Sequence, residues 1–230
     1  MNHQTIESLT RELCDFSARE AYRRPYDNYR VRIVPRILGG FLIFLGNVVY
    51  GEAPTYLKFR AIEVIARVPY HSWQTAAYTL LTYGYTNEKR AIALSNISQF
   101  SRLAQDNETM HVVVISQFAK KEARANVILH TLIPLLFAFF YFWALYILYL
   151  LKPRYALELN YMFEQHAFDQ YGEFLARECE ELKNKSAESD FLTWYGRHVR
   201  NQYEFFELVR NDELIHRNRS VREIELHEGN

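Results

Sequence analysis

Cysteine is nearly missing from this chain. Only Cys14 and Cys179 occur among 230 residues, with no CxxC pair, which excludes a disulfide framework and reads as two ordinary thiols in a reducing compartment. Net charge is missing too. Lysine plus arginine and aspartate plus glutamate number 27 each, so no basic field points to nucleic acid and no acidic one to a cationic partner. No internal repeat, low-complexity segment or strand-rich region is present. Residues 1–30 are polar and charged where the apolar core of a leader would stand, so no signal peptide is expected.

Apolar and aromatic residues are abundant. Hydrophobic residues make up 49% of the chain, ample for the core of a single domain. Aromatics reach 16%, an excess that a bilayer contact, an aromatic ligand or a large core explains. Residues 31–50 form an apolar run opened by Arg32 and Arg36, but Pro35 and the Gly39-Gly40 pair weaken it as a span, so an interfacial helix is expected. Residues 127–151 are more hydrophobic still and long enough to cross a bilayer. They contain His130 and Pro134 and lack a second convincing span, so a buried or membrane-grazing helix is favoured over a transmembrane one.

Helical spacing covers most of the rest. Thr55 is placed to cap a second helix with apolar positions Leu57, Ala61, Ile62, Ile65 and Ala66, a third runs over 87–121, Pro153 opens another that continues to 183, and a last one covers 191–221. The expected organisation is a polar arm at 1–30, one all-α domain at 31–221 and a charged tail at 222–230.

Two Glu-x-x-His pairs stand out, Glu108 with His111 and Glu213 with His216. Three residues is the helical spacing that turns both side chains toward one point, so each pair can hold a metal ion. Each pair's helix is preceded by another carrying a glutamate among apolar neighbours, Glu63 in RAIEVIA and Glu164 in YMFEQHA. Taken singly, any of the six is most simply a buried ion-pair carboxylate or a hydrogen-bonded core histidine. Together the order Glu, Glu-x-x-His, Glu, Glu-x-x-His is what a ferritin-like four-helix bundle uses to hold two carboxylate-bridged metals. Four carboxylates and two imidazoles suit iron or manganese, and oxygen chemistry favours iron.

The segments IEVIARVPY at 62–70, NETMH at 107–111, EQHAFDQY at 164–171, EELKN at 180–184 and RNDELIH at 210–216 resemble the alternative oxidases, most of all their plastid terminal oxidase branch. The resemblance implies a non-electrogenic terminal oxidase of an electron-transport chain, oxidising plastoquinol or ubiquinol and reducing O2 to water at two non-haem irons. It implies a monotopic protein on one leaflet of a thylakoid, plasma or inner membrane, with a homodimer as the common assembly. The iron ligands it assigns are the same six residues. Tyr171 matches a tyrosine with a redox role near the irons, and Asn107 and Asp212 match positions that fix ligand orientation. Lys58 stands where the family usually has an arginine beside the quinone. Lys58, Ile62 and His166, which lies two residues beyond Glu164, are the expected lining of the quinol pocket. Two other readings of the same bundle are a di-iron quinone-ring hydroxylase and a ferritin-like iron-handling protein.

Overall fold

The computed structural model describes residues 3–228, and all regular structure among them is helical. The polar N-terminal residues form α1 (His3–Glu12) and α2 (Phe16–Arg23), the second capped by Asp15, whose carboxylate accepts from the Ala18 amide at 2.8 Å. The first apolar run is α3 (Ile33–Tyr50). Thr55 caps α4 (Tyr56–Ala66) through the Lys58 amide at 3.2 Å.

The second helix expected from spacing is two helices, because α5 (Val68–Gly84) departs from α4 at Arg67. Pro69 in the first turn of α5 has no amide hydrogen to give to Ile65 and its ring collides with that carbonyl, so α4 cannot continue through it. Next come α6 (Glu88–Glu122), a π-helical turn at Ile128–Leu132 leading into α7 (Ile133–Leu151), and α8 (Pro153–Arg177), α7 and α8 each with proline in the first turn. The short α9 (Cys179–Asn184) and α10 (Asp190–Tyr195) precede α11 (Gln202–Glu228). The stretch expected as one helix over 191–221 is thus divided by Gly196, whose φ of 86° ends α10 and turns the chain. The last helix runs beyond 221, with Ile224 buried against the core.

Four helices, α4, α6, α8 and α11, form the bundle expected from the carboxylate pattern. The two largest of its apolar clusters flank its centre. One gathers Phe59, Phe118, Tyr171, Phe174, Phe205 and Phe206, and the other Tyr70, Trp73, Phe100, Tyr149 and Leu157. The polar centre lies between them, and each cluster lends it one tyrosine. Outside the bundle, α3 packs on α8 and α7 on α4, α5 and α8, and the Tyr50 hydroxyl at the end of α3 donates to Leu129 O in the turn before α7 at 2.9 Å. Gly39 lets α3 settle on α8: a Cβ there would stand 2.9 Å from Met162 Sδ. The outer faces of both helices are bare, exposing Ile37, Phe41 and Phe44 on α3 and Leu136, Phe140 and Ile147 on α7.

Candidate metal centre

Glu63 on α4, Glu108 and His111 on α6, Glu164 on α8, and Glu213 and His216 on α11 are all buried and converge in the middle of the bundle. Their ligating atoms fall into two sets, Glu63, Glu108, His111 and Glu213, and Glu108, Glu164, Glu213 and His216. Within each set the atoms lie within 4.8 Å of one another. Glu108 and Glu213 belong to both. Such an arrangement could hold two metal ions, with Glu108 and Glu213 able to serve both and one further glutamate and one imidazole available to each.

The unoccupied bonding capacity of this cluster is the physical test of fit. Glu63 Oε2, both oxygens of Glu108, both of Glu213, and Nδ1 of His111 and of His216 are buried with no hydrogen-bond partner. His111 Nδ1 lies 3.4 Å from Glu108 Oε2 and from Glu213 Oε1, and His216 Nδ1 lies 2.8 Å from Glu108 Oε1. So many orphan acceptors in one place is costly for a fold, and two cations satisfy all of them together. The donor set fits two divalent irons in charge and in hardness.

Protons can do part of that work. Burial pushes the Glu63 carboxyl up to about 7, against the opposing pull of the neighbouring His111 imidazole. Burial and the charges of Glu108 and Glu164 push Glu213 well above the usual carboxylate range. Burial opposes the charged form of Glu108 as well, but His111 and His216 outweigh it and hold that carboxyl below the usual range. Both imidazoles are raised in return, against their own burial, by Glu108 above all.

The surroundings fix how each ligating group points. Asp212 Oδ2 takes the His111 Nε2 hydrogen at 3.0 Å, which turns Nδ1 toward the carboxylates. Asn107 donates to the same oxygen at 3.1 Å, so the two residues expected to orient ligands meet in one network on the His111 side. Sequence reasoning missed the rest of it. Arg197 is buried and donates to Asp212 Oδ2 at 2.6 Å, and Thr10 of α1 donates to Asp212 Oδ1 at 2.7 Å. Nothing in helical spacing marks either residue, although Gly196 just before Arg197 signals the turn that delivers it. A second tyrosine was missed too. Tyr171 donates to Glu63 Oε1, as its place near the ligands suggests, and Tyr70 donates to Glu164 Oε1 at 2.6 Å. Each terminal glutamate therefore has one oxygen held by a buried phenol. Burial and the adjacent carboxylates keep both phenols protonated, well above their ordinary value.

A cleft of about 190 Å³ leads to this centre between α3, α4, α7 and α8. Its walls are apolar, with Leu42, Ile43, Ile62, Phe137 and Phe163, and its inner end is formed by Glu63, Glu164, Tyr171 and Glu213. Lys58, Ile62 and His166 all lie on it. The His166 imidazole is lowered by burial and by the nearby Lys58 charge. Lys58 itself is buried, and its ammonium donates to Asn47 Oδ1 at 2.9 Å, Glu52 O at 2.8 Å and Gln170 Oε1 at 2.7 Å. All three of its hydrogens are taken, so it acts as a strut that ties α3 and α8 to α4.

The model of the family described as alternative oxidase matches residues 9–222 of this chain. The chain is 25% identical over 182 residues to the Arabidopsis thaliana protein named ubiquinol oxidase 4, chloroplastic/chromoplastic, an alignment that covers 70% of this chain and 49% of the relative. The chain therefore spans about half the length of that curated relative. No solved structure matches it.

Proposed function

The chain belongs to the alternative oxidase family, and from that premise we propose that it is a quinol oxidase, passing electrons from a quinol to dioxygen and forming water without moving protons across the membrane. The observation that carries this reading is the pair of ligand sets sharing Glu108 and Glu213, with an apolar cleft opening onto their outer members Glu63 and Glu164. One iron is assigned to Glu63, Glu108, His111 and Glu213, the other to Glu108, Glu164, Glu213 and His216. Bound there, the irons supply the redox capacity that dioxygen reduction needs and side chains lack.

The chain's own residues do the remaining work. Asp212, held ionised by Arg197 against its burial, keeps His111 in the tautomer that offers Nδ1. Tyr171 and Tyr70 hold one oxygen each of Glu63 and Glu164 and leave the second oxygen for a metal. Tyr171 also forms part of the cleft wall, so it touches both substrate space and metal centre and is assigned the redox role between them. It stacks on Phe59 with centroids 4.1 Å apart, which fixes its ring. The apolar walls suit a quinone ring and its tail and keep bulk water from the centre.

The substrate of such a site is dissolved in lipid, and the bare faces of α3 and α7 give the cleft a lipid-facing entrance. Attachment to one leaflet fits better than a span, because the inner faces of both helices pack on other helices of the fold, α3 on α8 and α7 on α4 and α5. With added quinol, the iron-loaded chain in lipid vesicles should consume oxygen insensitively to cyanide, and Glu108→Ala should abolish uptake. A wild-type chain that binds two irons and consumes no oxygen would overturn the proposal in favour of ring hydroxylation or iron handling.

A further inference from the structure

The residue expected to meet the quinol, Lys58, has no hydrogen left to offer, and the hydroxyls of Tyr171 and Tyr70 are given to Glu63 and Glu164. Apart from the oxygens of the candidate metal ligands, two buried polar atoms of the described cleft residues are without a protein partner. Tyr141, on α7, is 8% exposed and lies on the cleft, yet its hydroxyl is buried and makes no hydrogen bond. Asn160, on α8 one turn before Glu164, is buried on the same cleft. Its amide nitrogen donates to Glu164 Oε1 at 3.0 Å, with the Tyr70 and Ser220 oxygens each at 3.1 Å. Those acceptors fix which way the amide faces, and its Oδ1 is left buried and unpartnered. Elsewhere a fold avoids such orphans, because each forfeits the hydrogen bonds it had in water.

We propose that Tyr141 and Asn160 are the hydrogen-bonding end of the substrate site and that together they distinguish the reduced ligand from the oxidised one. This rests on the quinol reading above. A hydroquinone hydroxyl both donates and accepts, so it gives its hydrogen to Asn160 Oδ1 and takes one from the Tyr141 hydroxyl. A quinone carbonyl only accepts. It keeps the bond from Tyr141 and leaves Asn160 Oδ1 unpartnered again, so the site favours the reduced substrate and weakens its hold once oxidation is complete. The same logic lets a site built to pair a hydroxyl reject an analogue that lacks one. Apolar cleft residues such as Phe137 and Phe163 then meet the ring and set no redox preference of their own.

The test uses the full chain loaded with ferrous iron in detergent under argon, where no turnover occurs, and calorimetric titration with tetramethylhydroquinone and with its dimethyl ether. The wild type should bind the hydroquinone more tightly than the ether, which has no hydrogen to donate. Tyr141→Phe keeps the ring and removes one hydrogen bond that either ligand oxygen can accept, so affinity for both should fall roughly 2- to 12-fold, while the gap between them, which reports donation to Asn160 Oδ1, should remain. Its thermal midpoint should be no lower than the wild type's, because the hydroxyl has no protein partner to lose. Unchanged hydroquinone affinity in Tyr141→Phe, or a lowered midpoint showing that the hydroxyl serves the fold, overturns the assignment while leaving the quinol reading intact. A wild-type chain that binds no hydroquinone would remove the quinol reading and this inference with it.

Discussion

Arg197→Met puts the network behind His111 to the most demanding test. The guanidinium is 1% exposed and lies 2.6 Å from Asp212 Oδ2 and 2.8 Å from Glu7 Oε2. Methionine fills much of the volume but leaves the wholly buried Asp212 carboxylate with only His111, Asn107 and Thr10 as donors. Removing one partner of a buried pair costs about 3–5 kcal/mol, because the other charge stays desolvated. Arg200→Met is the internal control: it deletes an arginine that also pairs with a glutamate, Glu204 at 2.9 Å, but from a side chain 88% exposed. Such an exposed pair contributes little, because solvent screens it. Urea unfolding of the metal-free chain at pH 7 should therefore show a deficit for Arg197→Met that Arg200→Met lacks. The sign with pH is also set. The Asp212 carboxyl is held below its usual range, so its contribution is complete above the ordinary aspartate value, about 4, and is lost only as pH falls below that. The deficit of Arg197→Met should persist at pH 5. A deficit no larger than that of Arg200→Met would refute the claim that Arg197 anchors Asp212.

Three further outcomes follow from the same structure. Loading the chain with ferrous iron should release more protons at pH 6 than at pH 8, because Glu63 titrates near 7 and must ionise to bind; an indicator-dye titration showing equal release would count against Glu63 as a ligand. Burial, with the nearby Glu207 charge, pushes the Cys14 thiol up to about 11, so its alkylation rate at pH 8 should be small and should climb until about pH 11, as peptide mapping would show. Replacing Phe41 and Phe140 together by glutamate should cut partition into lipid vesicles by about tenfold or more while far-ultraviolet circular dichroism stays unchanged, since both rings lie on the outer faces and support no core. Retained partition would remove α3 and α7 as the lipid contact.

The buried carboxylate and histidine cluster was legible because its code is local. Glu108 with His111 and Glu213 with His216 lie one helical turn apart, and Glu63 and Glu164 sit in helices whose apolar spacing announces them. The all-α fold follows from the same periodicity. What spacing does not reveal is which distant side chains meet. Tyr70 and Glu164 are separated by 94 residues, and Thr10 and Asp212 by 202. The N-terminal arm reads as polar although Ile6, Leu9 and Leu13 stand at helical spacing and pack inward, and its bond from Thr10 to Asp212 cannot be read from spacing at all. Lys58 shows the converse. Its position suggests a cation waiting for a ligand, and only the three-dimensional arrangement of Asn47, Glu52 and Gln170 reveals that its hydrogens are taken.

The central claim is that two irons share Glu108 and Glu213. Iron analysis combined with Mössbauer spectroscopy of the loaded chain tests it most directly: the account predicts two irons per chain, magnetically coupled through the shared carboxylates, and loss of that coupling in Glu108→Ala. One isolated, uncoupled iron per wild-type chain would contradict it.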